Sequence, residues 1–193
     1  MKFKKPSLQK VKAFLKDILV ALALAIFIKT FFLQAYKIPS GSMIPTLKPG
    51  DLILVEKITY GAKVPFTEFR LPGLRRPKRA DVIVFIAPHE PKKAFIKRLV
   101  ALPGEVVEIK KGTIYINDLP LLEEIFSSRY YYNRGEFAQE GDKVSVPKDS
   151  FFVLGDNSSS SQDSRYWGFV PYKNLIGRAL LIYWPPWRIR LIK

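Results

Sequence analysis

Phe95-Ile96-Lys97-Arg98-Leu99-Val100-Ala101, followed by Leu102-Pro103-Gly104, reads as a β-strand halted by a Pro-Gly break. A period of two puts Phe95, Lys97, Leu99 and Ala101 on one face and Ile96, Arg98 and Val100 on the other. Similar β-branched runs bounded by Gly, Pro or Asp recur on both sides. Leu52–Glu56 and Val82–Ala87 precede it; Val106–Ile109, Thr113–Ile116, Val144–Val146, Phe151–Leu154 and Ile176–Tyr183 follow. Lys111-Gly112 and Asn117-Asp118 predict hairpin turns, and only Leu119–Phe126 reads as a short helix. Residues 37–193 are therefore expected to be mostly β, with coiled antiparallel sheets closing into a barrel-like body. Segment 60–79, rich in Pro, Gly and basic residues, predicts a surface excursion. Segment 121–143, which contains Tyr130-Tyr131-Tyr132, predicts an insertion.

The N-terminal region has a different texture. Residues 1–17 carry six lysines against Asp17 alone, and Ile18 to Tyr36 is apolar except for Lys29, Thr30 and Gln34. Nineteen helical residues at ~1.5 Å each reach roughly 28 Å, close to the hydrocarbon thickness of a bilayer. The expectation is one transmembrane helix over 18–36, with Lys29 snorkelling toward the nearer interface. The positive-inside rule then places residues 1–17 in the cytoplasm and 37–193 outside the inner membrane as a single-pass protein.

The chain of 193 residues is long enough for one domain with a small insertion. Thirty-two Lys and Arg against seventeen Asp and Glu give a net charge of +15, which implies an anionic partner: nucleic acid or phospholipid headgroups. With no cysteine, disulfides, thiolate catalysis and a zinc ribbon are excluded. The only histidine, His89, lies between Pro88 and Glu90 in a loop. A Ser-His-Asp triad would depend on that one residue, and a His-rich metal site is excluded. No cofactor and no metal are expected.

Three constellations carry candidate chemistry. Ser40-Gly41-Ser42-Met43-Ile44-Pro45-Thr46-Leu47 lies just past the apolar segment, held by Pro45 and Pro49, as a rigid serine loop needs to be for a nucleophile. Taken alone, its Ser-Gly-Ser also fits a flexible linker. Lys97 stands among apolar side chains of its strand. A lysine of ordinary pKa, near ~10.4, is only about 0.04% neutral at pH 7, but burial lowers that value by several units. Lysine beside serine then replaces histidine in acyl transfer. The competing account is an edge-strand lysine reaching water. The third constellation is Leu154-Gly155-Asp156-Asn157, the serine run 158–161, then Gln162-Asp163-Ser164-Arg165-Tyr166-Trp167-Gly168. Asp163 and Arg165 can pair, and a serine can orient a lysine, although turn chemistry alone also explains this composition.

Together these residues resemble the bacterial type I signal peptidases, membrane-bound Ser/Lys endopeptidases that remove signal peptides from exported preproteins. Ser40–Leu47 is similar to the serine box of that family, and Lys97–Gly104 to its lysine box with Glu105 in place of aspartate. Arg79-Ala80-Asp81-Val82 resembles an Arg-Gly-Asp-Val strand, and Gly155–Gly168 the last box, ending Asp-Ser-Arg-Tyr-Trp-Gly. The resemblance implies Ser42 as nucleophile, Lys97 as general base, and the Ser42 N–H with the Ser40 hydroxyl as oxyanion hole. It also implies that Ser161 orients Lys97, that Asp163 and Arg165 support the site, and that Met43 lines the cleft wall. The partners it implies are preprotein signal peptides, cut after small residues at the first and third positions, and membrane phospholipid, with no nucleic acid. Ser158-Ser159-Ser160 departs from the Arg-Asp-Asn common in the family. Two other readings compete: another Ser/Lys protease of the same fold, and a basic nucleic-acid-binding β domain with Tyr130–Tyr132 before Arg134 as its candidate surface.

Overall fold

The computed structural model describes residues 8–67 and 69–193. Lys2, Lys4 and Lys5 of the expected cytoplasmic segment lie outside the described residues. Helix α1 (Leu8–Phe31) is followed almost at once by β1 (Leu33–Lys37). Then come β2 (Leu52–Glu56), β3 (Val82–Ile86), β4 (Ala94–Ala101), β5 (Val106–Lys110), β6 (Thr113–Ile116) and β7 (Leu119–Pro120). The remainder is α2 (Glu124–Ser127), β8 (Val144–Ser145), β9 (Ser150–Leu154), α3 (Ser164–Trp167), β10 (Val170–Pro171), β11 (Leu175–Trp184) and β12 (Arg190–Leu191).

All strand pairings are antiparallel among the described residues. One eight-stranded sheet runs β1-β2-β11-β3-β4-β9-β10 with β12 on β11, and a four-stranded sheet runs β7-β6-β5-β8. β3 shows why the large sheet curls around two cores. Val82 and Val84 join Ile38, Met43, Leu47, Ile53, Val55 and Ile182 on one face. Ile83 and Phe85 join Leu99, Val153 and Val170 on the other. Register shifts in β11 between Ala179 and Leu181 and between Ile182 and Trp184 bend it against β2. Gly177 belongs to the same device, since a β-carbon there would overlap the Glu56 carbonyl oxygen of β2. A third core joins the end of β4 to the small sheet through Val100, Ala101, Val107, Ile109 and Ile114.

Both expected hairpins form. Lys111 and Gly112 have φ of 47° and 81°, and Asn117 and Asp118 have 49° and 67°, the paired positive values of type I′ turns. The helix expected over Leu119–Phe126 is corrected. Pairing with β6 draws Leu119–Pro120 into a strand, and only Glu124–Ser127 is helical. Segment 121–143 packs inward: Leu121, Phe126, Tyr131 and Ala138 are buried in the third core.

The expected transmembrane helix is also corrected. No helix among the described residues is long and apolar enough to cross a membrane. The charge-free run between Lys16-Asp17 and Lys29 is Ile18–Ile28, eleven residues or ~16 Å, about half a hydrocarbon core. The expected C-terminal part of the span goes to the sheet instead, with Leu33 opposite Glu56 and Lys37 opposite Leu52. α1 nevertheless leaves Phe14, Ile18, Leu19, Leu22, Ile26 and Phe27 exposed. Its last turn is capped by Lys57, whose Nζ donates to the carbonyls of Lys29 at 2.9 Å and Thr30 at 3.1 Å.

Candidate active site

β1 delivers the chain to Ile38, which is buried in the core and bonded through its N–H to the Asp51 carbonyl. The loop from Ser40 is therefore pinned at its entry. Met43 and Leu47 pin it again from below, both fully buried beside Ile53. Met43 is thus a core side chain that anchors the loop beside Ser42. The loop lies over β4, and Lys97 Nζ donates to Ser42 Oγ at 2.9 Å. Ser40 is exposed, and its hydroxyl points to Ser42 Oγ at 3.4 Å.

Lys97 is 4% exposed and Ser42 is 7% exposed. Burial pushes the Lys97 amine down to about 8, the Asp163 and Asp156 carboxylates opposing that fall and the Arg165 guanidinium adding to it. Neither carboxylate forms an ion pair with the amine, because each is already engaged. Asp163 pairs with Arg165 at 2.8 Å, both fully buried, and accepts the Gly155 N–H at 3.0 Å. Asp156 takes Arg98 in a two-pronged pair with both bonds at 2.7 Å, and also contacts Thr46 and, at 3.4 Å, Arg129. The result is a buried amine with a hydroxyl as its hydrogen-bond partner.

Ser161 lies close by, but the expected bond from its hydroxyl to Lys97 is corrected. Ser161 Oγ is buried with no hydrogen-bond partner among the described residues. It packs above Gly155, where a β-carbon would overlap it and would stand 2.6 Å from the Ser42 carbonyl oxygen. The missing side chain at Gly155 is what lets the 155–161 loop close on the serine loop. Asn157 completes that closure, its N–H donating to the Ser42 carbonyl at 3.0 Å and its Nδ2 to the Gly41 carbonyl at 3.1 Å.

Sequence reading gave Arg98, Gly155, Asp156 and Asn157 no role of their own, although the last three stood within the third constellation. The contacts of the Gly-Asp-Asn run were not legible, because its partners stand 58 and 116 residues away in the chain. Among the described residues, no group of His, Cys, Asp and Glu is placed to hold a metal.

Comparison with known proteins gives the lineage. Residues 11–184 match the family model for signal peptidase, peptidase S26. The chain is 39% identical over 183 residues to a probable signal peptidase I-2 of Synechocystis, covering 92% of this chain and 75% of that protein. It is 40% identical over 178 residues to a signal peptidase I of Leptolyngbya laminosa, covering 89% and 78%. A crystal structure of a signal peptidase I from Enterococcus faecalis is 35% identical, covers 53% of this chain and 96% of that one, and has a TM-score of 0.44. A serine loop and a buried lysine brought together across the sheet thus sit within a sequence match that spans most of the chain, which belongs to the signal peptidase family, peptidase S26.

Proposed function

We propose that this peptidase removes N-terminal signal peptides from preproteins with Ser42 as nucleophile and Lys97 as general base. The observation that carries the reading is the 2.9 Å contact between the two side chains on a nearly sealed lysine. With an amine pKa of about 8, roughly a tenth of the enzyme holds Lys97 neutral at pH 7, against under a thousandth for an ordinary lysine. Neutral Lys97 takes the Ser42 proton as Oγ attacks the scissile carbonyl. The resulting ammonium returns that proton to the leaving amine as the C–N bond breaks, leaving an acyl ester on Ser42. Water, deprotonated by the same amine, then releases the signal peptide and regenerates the serine. The Ser42 N–H and the Ser40 hydroxyl stabilise the oxyanion, at ~2.7–4 kcal/mol per donor in comparable sites.

The preference for small residues at the first and third positions before the bond comes from the family resemblance. The exposed apolar side chains of α1 support its association with the inner membrane. Exposed Trp184, Trp187, Ile189 and Leu191 support contact of that body with phospholipid. The test is cleavage of a labelled preprotein peptide with an Ala-x-Ala site in detergent. Ser42→Ala and Lys97→Ala are each expected to lose at least about a thousandfold in kcat while keeping the wild-type circular dichroism spectrum. A folded variant that still cuts at the wild-type rate would sink the mechanism.

A further inference from the structure

The serine run 158–161 sits in a chain of hydrogen bonds leading to the Ser42 loop. Asn157 holds the Gly41 and Ser42 carbonyls, and its own amide is oriented by Ser159, whose hydroxyl donates to Asn157 Oδ1 at 2.9 Å. The Ser159 carbonyl receives Arg134 Nη1 at 2.8 Å. Ser158 is 4% exposed. Its hydroxyl oxygen accepts the Tyr132 N–H at 2.9 Å and Arg165 Nη1 at 2.7 Å, and its carbonyl accepts Arg165 Nη2 at 2.9 Å. Tyr132 and Arg134 belong to segment 121–143, which is rooted in the third core by Phe126, Tyr131 and Ala138.

We infer that Ser158 and Ser159 are positioning residues for Ser42, coupling segment 121–143 through Asn157 to the backbone of the nucleophile loop. The inference rests on the reading of Ser42 as nucleophile. An oxygen acceptor at 158 is required by the two donors that converge on it, since a buried N–H left without a partner is costly. An arginine at 158 would have no acceptor to offer and would set a second guanidinium beside Arg165. Segment 121–143 supplies cations to the same loop, Arg134 on Ser159 and Arg129 on Asp156. The segment is thus part of the framework of the site.

The test uses the full chain in detergent with the same Ala-x-Ala peptide, measuring kcat, KM and the thermal midpoint. Ser158→Ala is expected to lower kcat about ten- to a hundredfold, the scale of a misplaced reacting group, with KM within about twofold. Ser158→Thr, which keeps the oxygen, is expected within about threefold of wild type, and Ser158→Arg to behave like Ser158→Ala. Ser159→Ala frees the Asn157 amide from an exposed position and is expected to lower kcat about three- to tenfold with the thermal midpoint unchanged. Wild-type kcat in Ser159→Ala, or in a folded Ser158→Ala or Ser158→Arg, overturns the inference. So does a loss in Ser158→Ala that tracks the thermal midpoint and is not rescued by threonine. Failure of the wild type itself to cleave removes the nucleophile reading as well, whereas cleavage unaffected by these variants removes this inference alone.

Discussion

Lys97 and Arg98 are neighbours on β4, exposed by only 4% and 1%, yet the two faces of the strand treat their charges in opposite ways. Arg98 meets the Asp156 carboxylate in a two-pronged pair and a carbonyl from Ala80. Lys97 meets a hydroxyl, with the nearby carboxylates already taken by arginines. Burial with a matched anion keeps a cation charged, whereas burial against a neutral oxygen favours loss of the proton. One strand thus carries a brace on one side and, on the other, the amine proposed as the base.

The contrast can be broken most severely from the braced side. Arg98→Ala strips Asp156 of its principal partner and is expected to cost ~3–5 kcal/mol in urea unfolding. Arg98→Lys is not expected to restore it, because an ammonium lacks the paired geometry. A loss below about 1 kcal/mol would mean that the pair does not brace the strand. Gly155→Ala attacks the loop shared by both faces, and the overlap with Ser161 and Ser42 is expected to lower kcat by about a hundredfold. Wild-type turnover in that variant would show that the loop need not close.

The base side is expected to respond in the opposite sense. Lys97→Met, expected to be inactive, should be more stable than wild type by ~1–3 kcal/mol at pH 6, because it removes a buried ammonium without a paired anion. The folded-state pKa is lowered to about 8, while the unfolded value is near ~10.4. Below the lower value the full cost of the buried charge is present in wild type. As pH rises from there toward the unfolded value, wild type gains stability and the advantage of the variant shrinks. Unfolding at pH 6 and pH 10 measures it, and a variant less stable at pH 6 would deny that burial penalises the amine. The gentlest probe is the pH dependence of kcat/KM, expected to rise with an inflection near 8. An inflection above 10 would place Lys97 in ordinary solvent.

The strands were largely legible because their alternation is local: Leu52–Glu56 and Thr113–Ile116 have the expected bounds. Ser42 and Lys97 were legible as residue types in suitable surroundings, and the resemblance paired them. Their company was not. Period two placed Arg98 opposite Lys97 without revealing Asp156, since the partner of a buried charge is chosen by the curl of the sheet. Nor did composition show that Leu33–Lys37 leaves the apolar run for β1, because apolar residues serve strand and helix alike. Ser161 was placed by analogy, and its side chain instead fills the space left by Gly155.

The junction of α1 and β1 has a mechanical consequence. Only Phe32 separates helix from strand, its carbonyl accepts the Lys57 N–H, and the Lys57 amine holds the last helical carbonyls. From there to the serine loop every residue of β1 is locked to β2. No hinge lies along that path, so the helix is a rigid mast rather than a tether. Five strand residues at ~3.4 Å set the serine loop ~17 Å along the strand from the end of the helix, a reach determined by strand length and not by the slack of a linker.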